Sequence, residues 1–188
     1  MAWALDFLKG VATMKWILET SRLQLRELNQ QDFEGLSAIL ADSEVMYAWE
    51  HAFNPQQVQE WLDRNLQRYR RDGFGSFAAI EKSTGALVGV IGLLVEHIED
   101  KDYIGVAYIL NKSYWGQGYA TEGAKACVDY AFGQLGCKQV VADIRPQNMA
   151  SRKVAERLGM HVVGEYIKVY NNKQMPHLIY SITPEYFS

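Results

Sequence analysis

One stretch of this chain carries backbone and side chains arranged to hold an anion. Tyr103 to Leu110 reads as a short apolar strand, Asn111 to Gly118 as a turn with glycines at 116 and 118, and Tyr119 as the opening of a helix. Strand, glycine turn and helix start in succession leave unpaired backbone N–H groups at the positive end of a helix dipole, which suits a phosphate. A nucleoside-triphosphate loop would need Gly-Lys-Ser or Gly-Lys-Thr after the glycines, and neither follows. A dinucleotide fingerprint would need a Gly or Ala where Thr121 stands, and an acidic residue about 20 positions on in a following strand, which is missing.

The side chains able to move a proton near such a loop are Glu50, His51, Glu96, His97 and Glu165, and the sequence does not rank them. Glu122, in the first turn of the helix, reads as a partner of the helix dipole and a cap. Two cysteines, Cys127 and Cys137, lack metal-ligand spacing and read as packing residues, and no metal site is expected.

Trp115-Gly116-Gln117-Gly118-Tyr119-Ala120 resembles the acyl-CoA pyrophosphate loop of the GNAT superfamily of N-acyltransferases. Gly118 and Ala120 match that pattern; Trp115 stands where Gln or Arg is usual, which leaves backbone contacts intact. Tyr114 to Glu122 looks like the ribosomal-protein N-terminal acetyltransferase branch. A second segment strengthens the resemblance: an apolar run from Gln139 to Ile144, an Asn148-Met149-Ala150-Ser151 helix start and a Leu158-Gly159-Met160 close. With Leu18 to Arg26 the likeness spans residues 17 to 183.

The resemblance implies an α/β (α+β) fold: a single domain with a central, mixed but mostly antiparallel twisted sheet of 6–7 strands, flanked by 4 helices. It implies acetyl-CoA as co-substrate, with the pyrophosphate on the N–H groups of Gln117, Gly118, Tyr119, Ala120 and Thr121. The pantetheine arm is expected along Ile109 and Leu110 and against the Asn148 amide. The acceptor is a primary amine, either a protein N-terminus or a small molecule, attacking directly in a ternary complex. Glu50 and Glu96 are carried forward from the five as the candidate catalytic carboxylates. The tyrosine that many members place seven residues after the Asn to protonate the leaving thiolate is Ala155 here, so Ser151 is the expected substitute beside its cofactor role. A different class, an acyl-CoA-binding module that has lost catalysis, accounts for Ala155 and the unassigned base.

A chain of 188 residues is one domain's worth, and residues 1–14 read as an extension ahead of a domain over 15–188. The net charge of -3 gives no push toward nucleic acid. The apolar N-terminus has Asp6 and Lys9 inside it and no basic leader, which argues against a signal peptide. No apolar run is long enough to span a membrane. A cytoplasmic monomer or homodimer is expected.

Several elements must position these residues. A strand is expected over Trp16 to Glu27, and a helix follows Asn29 or Gln30 with Phe33, Leu36, Ile39 and Leu40 on one face. Ser43 to Phe53 is aromatic and mixed, and the resemblance implies that it helps line the acceptor site and sets acceptor choice, with Trp49 and Phe53 as pocket aromatics. Asn54 and Pro55 open a helix reaching Arg71, with Val58, Trp61, Leu62, Asn65 and Tyr69 inward. Arg64, Arg68 and Arg71 share a face of it, read as a solvated basic face or as a site for an acidic substrate or a 3′-phosphate. Strands are expected over Phe77 to Lys82, Leu87 to Glu96 and Asp102 to Leu110, then a helix from Tyr119 to Leu135 and a closing hairpin.

Overall fold

The structure is a computed structural model and describes residues 16–187, so the expected extension over residues 1–14 lies outside the described residues. The chain runs β1 (Trp16–Glu19), β2 (Leu23–Arg26), α1 (Phe33–Leu40), α2 (Pro55–Asp72), β3 (Ser76–Glu81), β4 (Leu87–Ile98) and β5 (Lys101–Leu110). It continues through α3 (Tyr119–Gly133), β6 (Val140–Ile144), α4 (Met149–Arg157), β7 (His161–Tyr170) and β8 (Lys173–Ile182). The sheet holds 8 strands in the order β1-β2-β3-β4-β5-β6-β8-β7. Every neighbouring pair is antiparallel except β5 and β6.

The expected first strand is two. Thr20 interrupts it: its N–H donates to the Leu23 carbonyl at 2.9 Å, and its side-chain oxygen accepts from the Leu23 N–H at 2.9 Å. The chain folds back there, which raises the strand count above the expected 6–7. The helix expected to reach Leu135 ends at Gly133, and Leu135 is solvent-exposed because Gly136, at φ 65, turns the chain away.

Local signals explain most element boundaries. Asn54 caps α2 reciprocally with Gln57, Pro55 occupies the first turn, and Gly73 ends the helix at φ 80. The β4–β5 hairpin turns on Glu99 and Asp100, and Glu99 takes a φ of 53. One core cluster lies between the sheet and α3, around Leu23, Phe77, Ile91, Cys127, Val128 and Tyr180. A second lies between the opposite face and α1 and α2, around Leu36, Leu40, Val58, Leu62 and Val90. Helices thus cover both faces of the sheet.

The feature that matters for function is the seam between β5 and β6. Their parallel pairing is recorded at a single register position, Gly105 opposite Val141. Beyond it the strands diverge, and the C-terminal half of β5 has a partner on its β4 side only. The starts of α3 and α4 line this opening.

Candidate active site

Two cavities meet at this opening. The larger, about 840 Å³, runs from the glycine turn between β5 and α3 to the start of α4. Gly116 and Gly118 take φ values of 71 and 85, which glycine adopts without strain, so the chain can make the tight turn into α3. The Glu122 N–H makes the first helical bond, to the Gly118 carbonyl. The amides of Tyr119, Ala120 and Thr121 are therefore left at the positive helix end, and those of Gly116, Gln117 and Gly118 have no backbone acceptor among the described residues.

The wall leading away from this loop is the open edge of β5. The Asn111 N–H bonds the Val88 carbonyl, so by the alternation of an antiparallel ladder Ile109 bonds toward β4 while Tyr108 and Leu110 aim their amides at the gap. The Trp115 indole N–H takes up the Leu110 carbonyl at 3.0 Å. Ile109 and Leu110 both line the cavity, and the polar edge belongs to Tyr108 and Leu110. Across the gap Asn148 caps α4: its Oδ1 accepts from the Ser151 N–H at 3.1 Å and from the Tyr47 hydroxyl at 2.5 Å. That fixes the amide plane and leaves Nδ2 without a protein acceptor among the described residues, available to a carbonyl in the cleft.

The second cavity, about 320 Å³, lies on the other side of the seam. Trp49 and Trp61 form part of its wall, and Glu96, Asp143 and Lys168 form its floor. Lys168 Nζ sits 2.5 Å from Asp143 and 3.3 Å from Glu96, and the Tyr166 hydroxyl donates to Asp143 at 2.7 Å. Asp143 thereby holds most of the available positive charge. Burial and the neighbouring Asp143 push the Glu96 carboxyl above the usual carboxylate range, against the pull of Lys168. The two cavities share Ala48, Trp49, Tyr108, Ile109, Asn148 and Ser151, and only the smaller one reaches Glu96.

The candidate acids and bases separate cleanly in space. Glu50 is held by Arg145 at 3.0 Å and Lys173 at 2.7 Å, and bonds from Lys173 and then Arg145 pull its carboxyl down, so it is a weak proton acceptor. His51 stacks on Tyr170 outside the cavity wall, His97 pairs with Asp102 at an exposed hairpin end, and Glu165 faces solvent on β7. Glu96 alone among them lines the smaller cavity. Ser151 lies at the junction, where its carbonyl accepts from the Tyr108 hydroxyl at 2.9 Å; burial raises that phenol and keeps it protonated. Gln117 donates its side-chain amide to the Ser113 carbonyl at 2.9 Å, bracing the loop, and Ala155 is buried in the core. Phe53 packs inside the second core cluster, whereas Trp61 and Tyr170 join Trp49 in the cavity wall. Among the described residues no group of three His, Cys, Asp or Glu is placed to hold a metal ion, and no helix is long and apolar enough to cross a membrane.

Sequence reading missed Tyr108, Asp143 and Lys168. The available signal was a single carboxylate in the apolar run Val140 to Ile144 and a lysine on the following hairpin. Only the sheet order brings them together.

Comparison with known proteins accords with this geometry. The model of the acetyltransferase (GNAT) domain matches residues 22–161. A Bacillus subtilis relative, the uncharacterized protein YkkB, is 32% identical over 87% of this chain and 93% of its own length. The chain belongs to the GNAT acetyltransferase family. The Aspergillus fumigatus enzyme FsC-acetyl coenzyme A-N(2)-transacetylase is 31% identical over 89% of this chain and 76% of its own. In fold the chain is similar to the ribosomal-protein-S5-alanine acetyltransferase of Vibrio fischeri, with a TM-score of 0.71 at 18% identity, covering 90% of this chain and 97% of that one. This GNAT member is accordingly an N-acetyltransferase by class.

Its loop is tied to the rest of the sheet by one carboxylate. Glu122 accepts from the Thr20 hydroxyl at 2.6 Å, the Arg22 N–H at 2.8 Å, the Arg22 Nε at 2.6 Å and the Ser21 hydroxyl at 2.9 Å. Arg22 in turn donates to the Gln117 carbonyl at 2.9 Å and lies over the Tyr119 ring at 4.2 Å. Burial opposes the charge on Glu122, but these bonds outweigh it and hold the carboxyl at about 2. A pKa depressed in the folded protein stabilises above the unfolded value and is lost as pH falls toward 2. Discounted for solvent screening of this partly exposed network, Glu122→Ala should cost about 1–2 kcal/mol at pH 7. Thermal melting should show a fall of about 2–8 °C at pH 7. The difference from wild type should shrink by pH 3, and a pH-independent loss would argue against the charge network.

Proposed function

We propose that this protein transfers an acetyl group from acetyl-CoA to the primary amine of a small molecule, by direct attack within a ternary complex. One observation carries the proposal: a backbone-lined cleft suited to a phosphorylated, peptide-like arm meets a side-chain-lined cavity at Tyr108, Asn148 and Ser151, with Glu96 on the far side. The free amides from Gly116 to Thr121 fit the pyrophosphate, and the Asn148 amide with the polar edge of Tyr108 and Leu110 fits the pantetheine amides.

Glu96 is the proposed base. A primary amine is mostly protonated at neutral pH, and a carboxylate with a raised pKa is better matched to take that proton. The amine nitrogen then bonds the acetyl carbon, the carbon–sulfur bond breaks, and the second proton the nitrogen sheds on becoming an amide passes through a hydroxyl at the junction, which gives one proton and takes one back, to the departing thiolate. Ser151 and Tyr108 supply the hydroxyls there. Alignment of the two reactants can supply about 7–11 kcal/mol of the acceleration. The cavity volume of about 320 Å³ and the Trp49, Trp61 and Tyr170 walls favour a small molecule over a peptide, which needs an open groove with backbone partners.

The test is thermal melting with and without acetyl-CoA, followed by thiol release across small amines, polyamines and peptides. At a hundredfold excess over Kd the cofactor should contribute about 2.7 kcal/mol and raise Tm by about 5–10 °C. Turnover on a small amine is the expected result. Stabilisation without turnover on any amine would support the lapsed-enzyme reading, and no stabilisation would remove the cofactor assignment.

A further inference from the structure

Charges in the acceptor cavity are paired, with one exception. Lys168 is shared by Asp143 and Glu96, and Arg145 donates to Glu50 and to the Ala48 carbonyl, each at 3.0 Å. Arg68 lines the same cavity from α2, and its one polar contact among the described residues is Nη1 to the Asn65 side-chain oxygen at 3.3 Å. No carboxylate of the described residues lies within 4.0 Å of it. Asn65 is fully buried and anchored, donating to the Trp61 carbonyl at 2.9 Å, so the guanidinium is held in place at the cavity wall.

The three arginines on this face of α2 are not equivalent. Arg71 is neutralised by Asp72 at 2.7 Å and faces away from the cavity. Arg64, one turn before Arg68, is exposed and acts electrostatically on Tyr170, which belongs to the cavity wall. The solvated reading therefore fits Arg64 and Arg71, which are exposed, and not Arg68, which lines the cavity.

Burial disfavours the charge on Arg68, and Glu96 across the cavity is the first charge that favours it. The same cavity thus presents a fixed, incompletely paired cation and a carboxylate seeking a proton. A molecule with an ammonium at one end and an anion at the other satisfies both, whereas a plain amine satisfies only Glu96.

Resting on the acetyltransferase reading above, we infer that the acceptor is an amino carboxylate, its carboxylate held by Arg68 and its amine directed at Glu96. The planar fork of arginine matches a carboxylate in two parallel bonds, and Trp49 and Trp61 leave room for an apolar body. A polyamine, which brings only positive charge, or an unmodified peptide N-terminus leaves Arg68 unanswered.

The experiment compares amines in matched pairs, each amino acid with its own carboxamide, on wild type, Arg68→Gln and Arg68→Lys. Thiol release with acetyl-CoA and the shift in Tm with CoA bound are both read, so recognition is measured with or without turnover. Wild type should prefer the carboxylate about 10- to 100-fold in kcat/KM, the range for a hydrogen-bonded charge. Arg68→Gln should lose that preference, with the KM for each amino acid rising to that for its own carboxamide in the same variant. Arg68→Lys, with the charge but not the fork, should fall between. Equal treatment of carboxylate and carboxamide by wild type, in both rate and Tm shift, would overturn the inference, as would a preference that survives in Arg68→Gln or better turnover on peptides without a carboxylate near the amine. Failure of acetyl-CoA itself to raise Tm would instead remove the underlying acetyltransferase reading, so the two failures are distinguishable.

Discussion

Glu96→Gln is expected to lower kcat/KM by about 10²- to 10³-fold, the range for loss of a general base, while leaving the protein as stable as wild type or more so at pH 7. The two halves of this result come from one cause. Burial and Asp143 raise the Glu96 carboxyl in the folded protein. A raised folded pKa for an acid means the fold disfavours the charged form, so ionised Glu96 costs stability at every pH above its unfolded value. Gln removes that cost and keeps the shape. Lys168 retains Asp143 at 2.5 Å, so no unpaired charge is left behind. A residue kept for structure would behave in the opposite way, with stability falling alongside activity.

The pH profile adds a second readout of the same assignment. Activity should rise with pH along an acidic limb set by Glu96, placed above the ordinary carboxylate range of about 4.3. Asp143→Asn removes the like charge and hands Lys168 to Glu96, so that limb should move to lower pH. Profiles of kcat/KM for wild type and Asp143→Asn decide the matter. An unmoved limb, or Glu96→Gln with near-normal rates, would remove Glu96 from the base role.

Why was Glu96 no more prominent than Glu50 in the sequence? Both are carboxylates at the ends of apolar or aromatic stretches, and nothing in their neighbours along the chain separates them. Their partners come from elsewhere: Arg145 and Lys173 lie far along the chain from Glu50, as Asp143 and Lys168 do from Glu96. Protonation chemistry is set by these long-range pairs. The cofactor loop is the reverse case. Its character comes from Gly116, Gly118 and the start of α3, all local, so the turn and helix signals were enough to place it. The split at Thr20 escaped notice for a different reason: the bonds that turn the chain there, between Thr20 and Leu23, are local, but the alternation of Leu23 and Leu25 continues smoothly past the break and masks them. Likewise Phe53 and Trp61 exchanged roles because an aromatic residue at helical or loop spacing does not reveal which side of a wall it occupies.

Thr121→Glu is expected to separate cofactor binding from folding. Thr121 is in the first turn of α3 and lines the larger cavity. A glutamate at that position favours the helix itself, by about 0.3–1 kcal/mol through the dipole, so Tm in the absence of cofactor should hold or rise slightly. The same charge faces the region proposed for the pyrophosphate. At about 4 Å and an effective dielectric near 20, one like-charge contact costs about 4 kcal/mol before screening and side-chain escape reduce it. A net loss of about 2 kcal/mol corresponds to an acetyl-CoA KM raised about 30-fold. Thr121→Gln, of the same size and neutral, should stay within a few-fold of wild type. Raising the salt concentration should recover part of the loss for the glutamate variant and little for the glutamine. Equal effects from Glu and Gln would mean the site is sensitive to bulk and not to charge, and no effect from either would move the pyrophosphate away from the α3 N-terminus. Since kcat at saturating acetyl-CoA depends on the Glu96 side of the seam, it should remain near wild type in both variants, which makes this substitution the complement of Glu96→Gln.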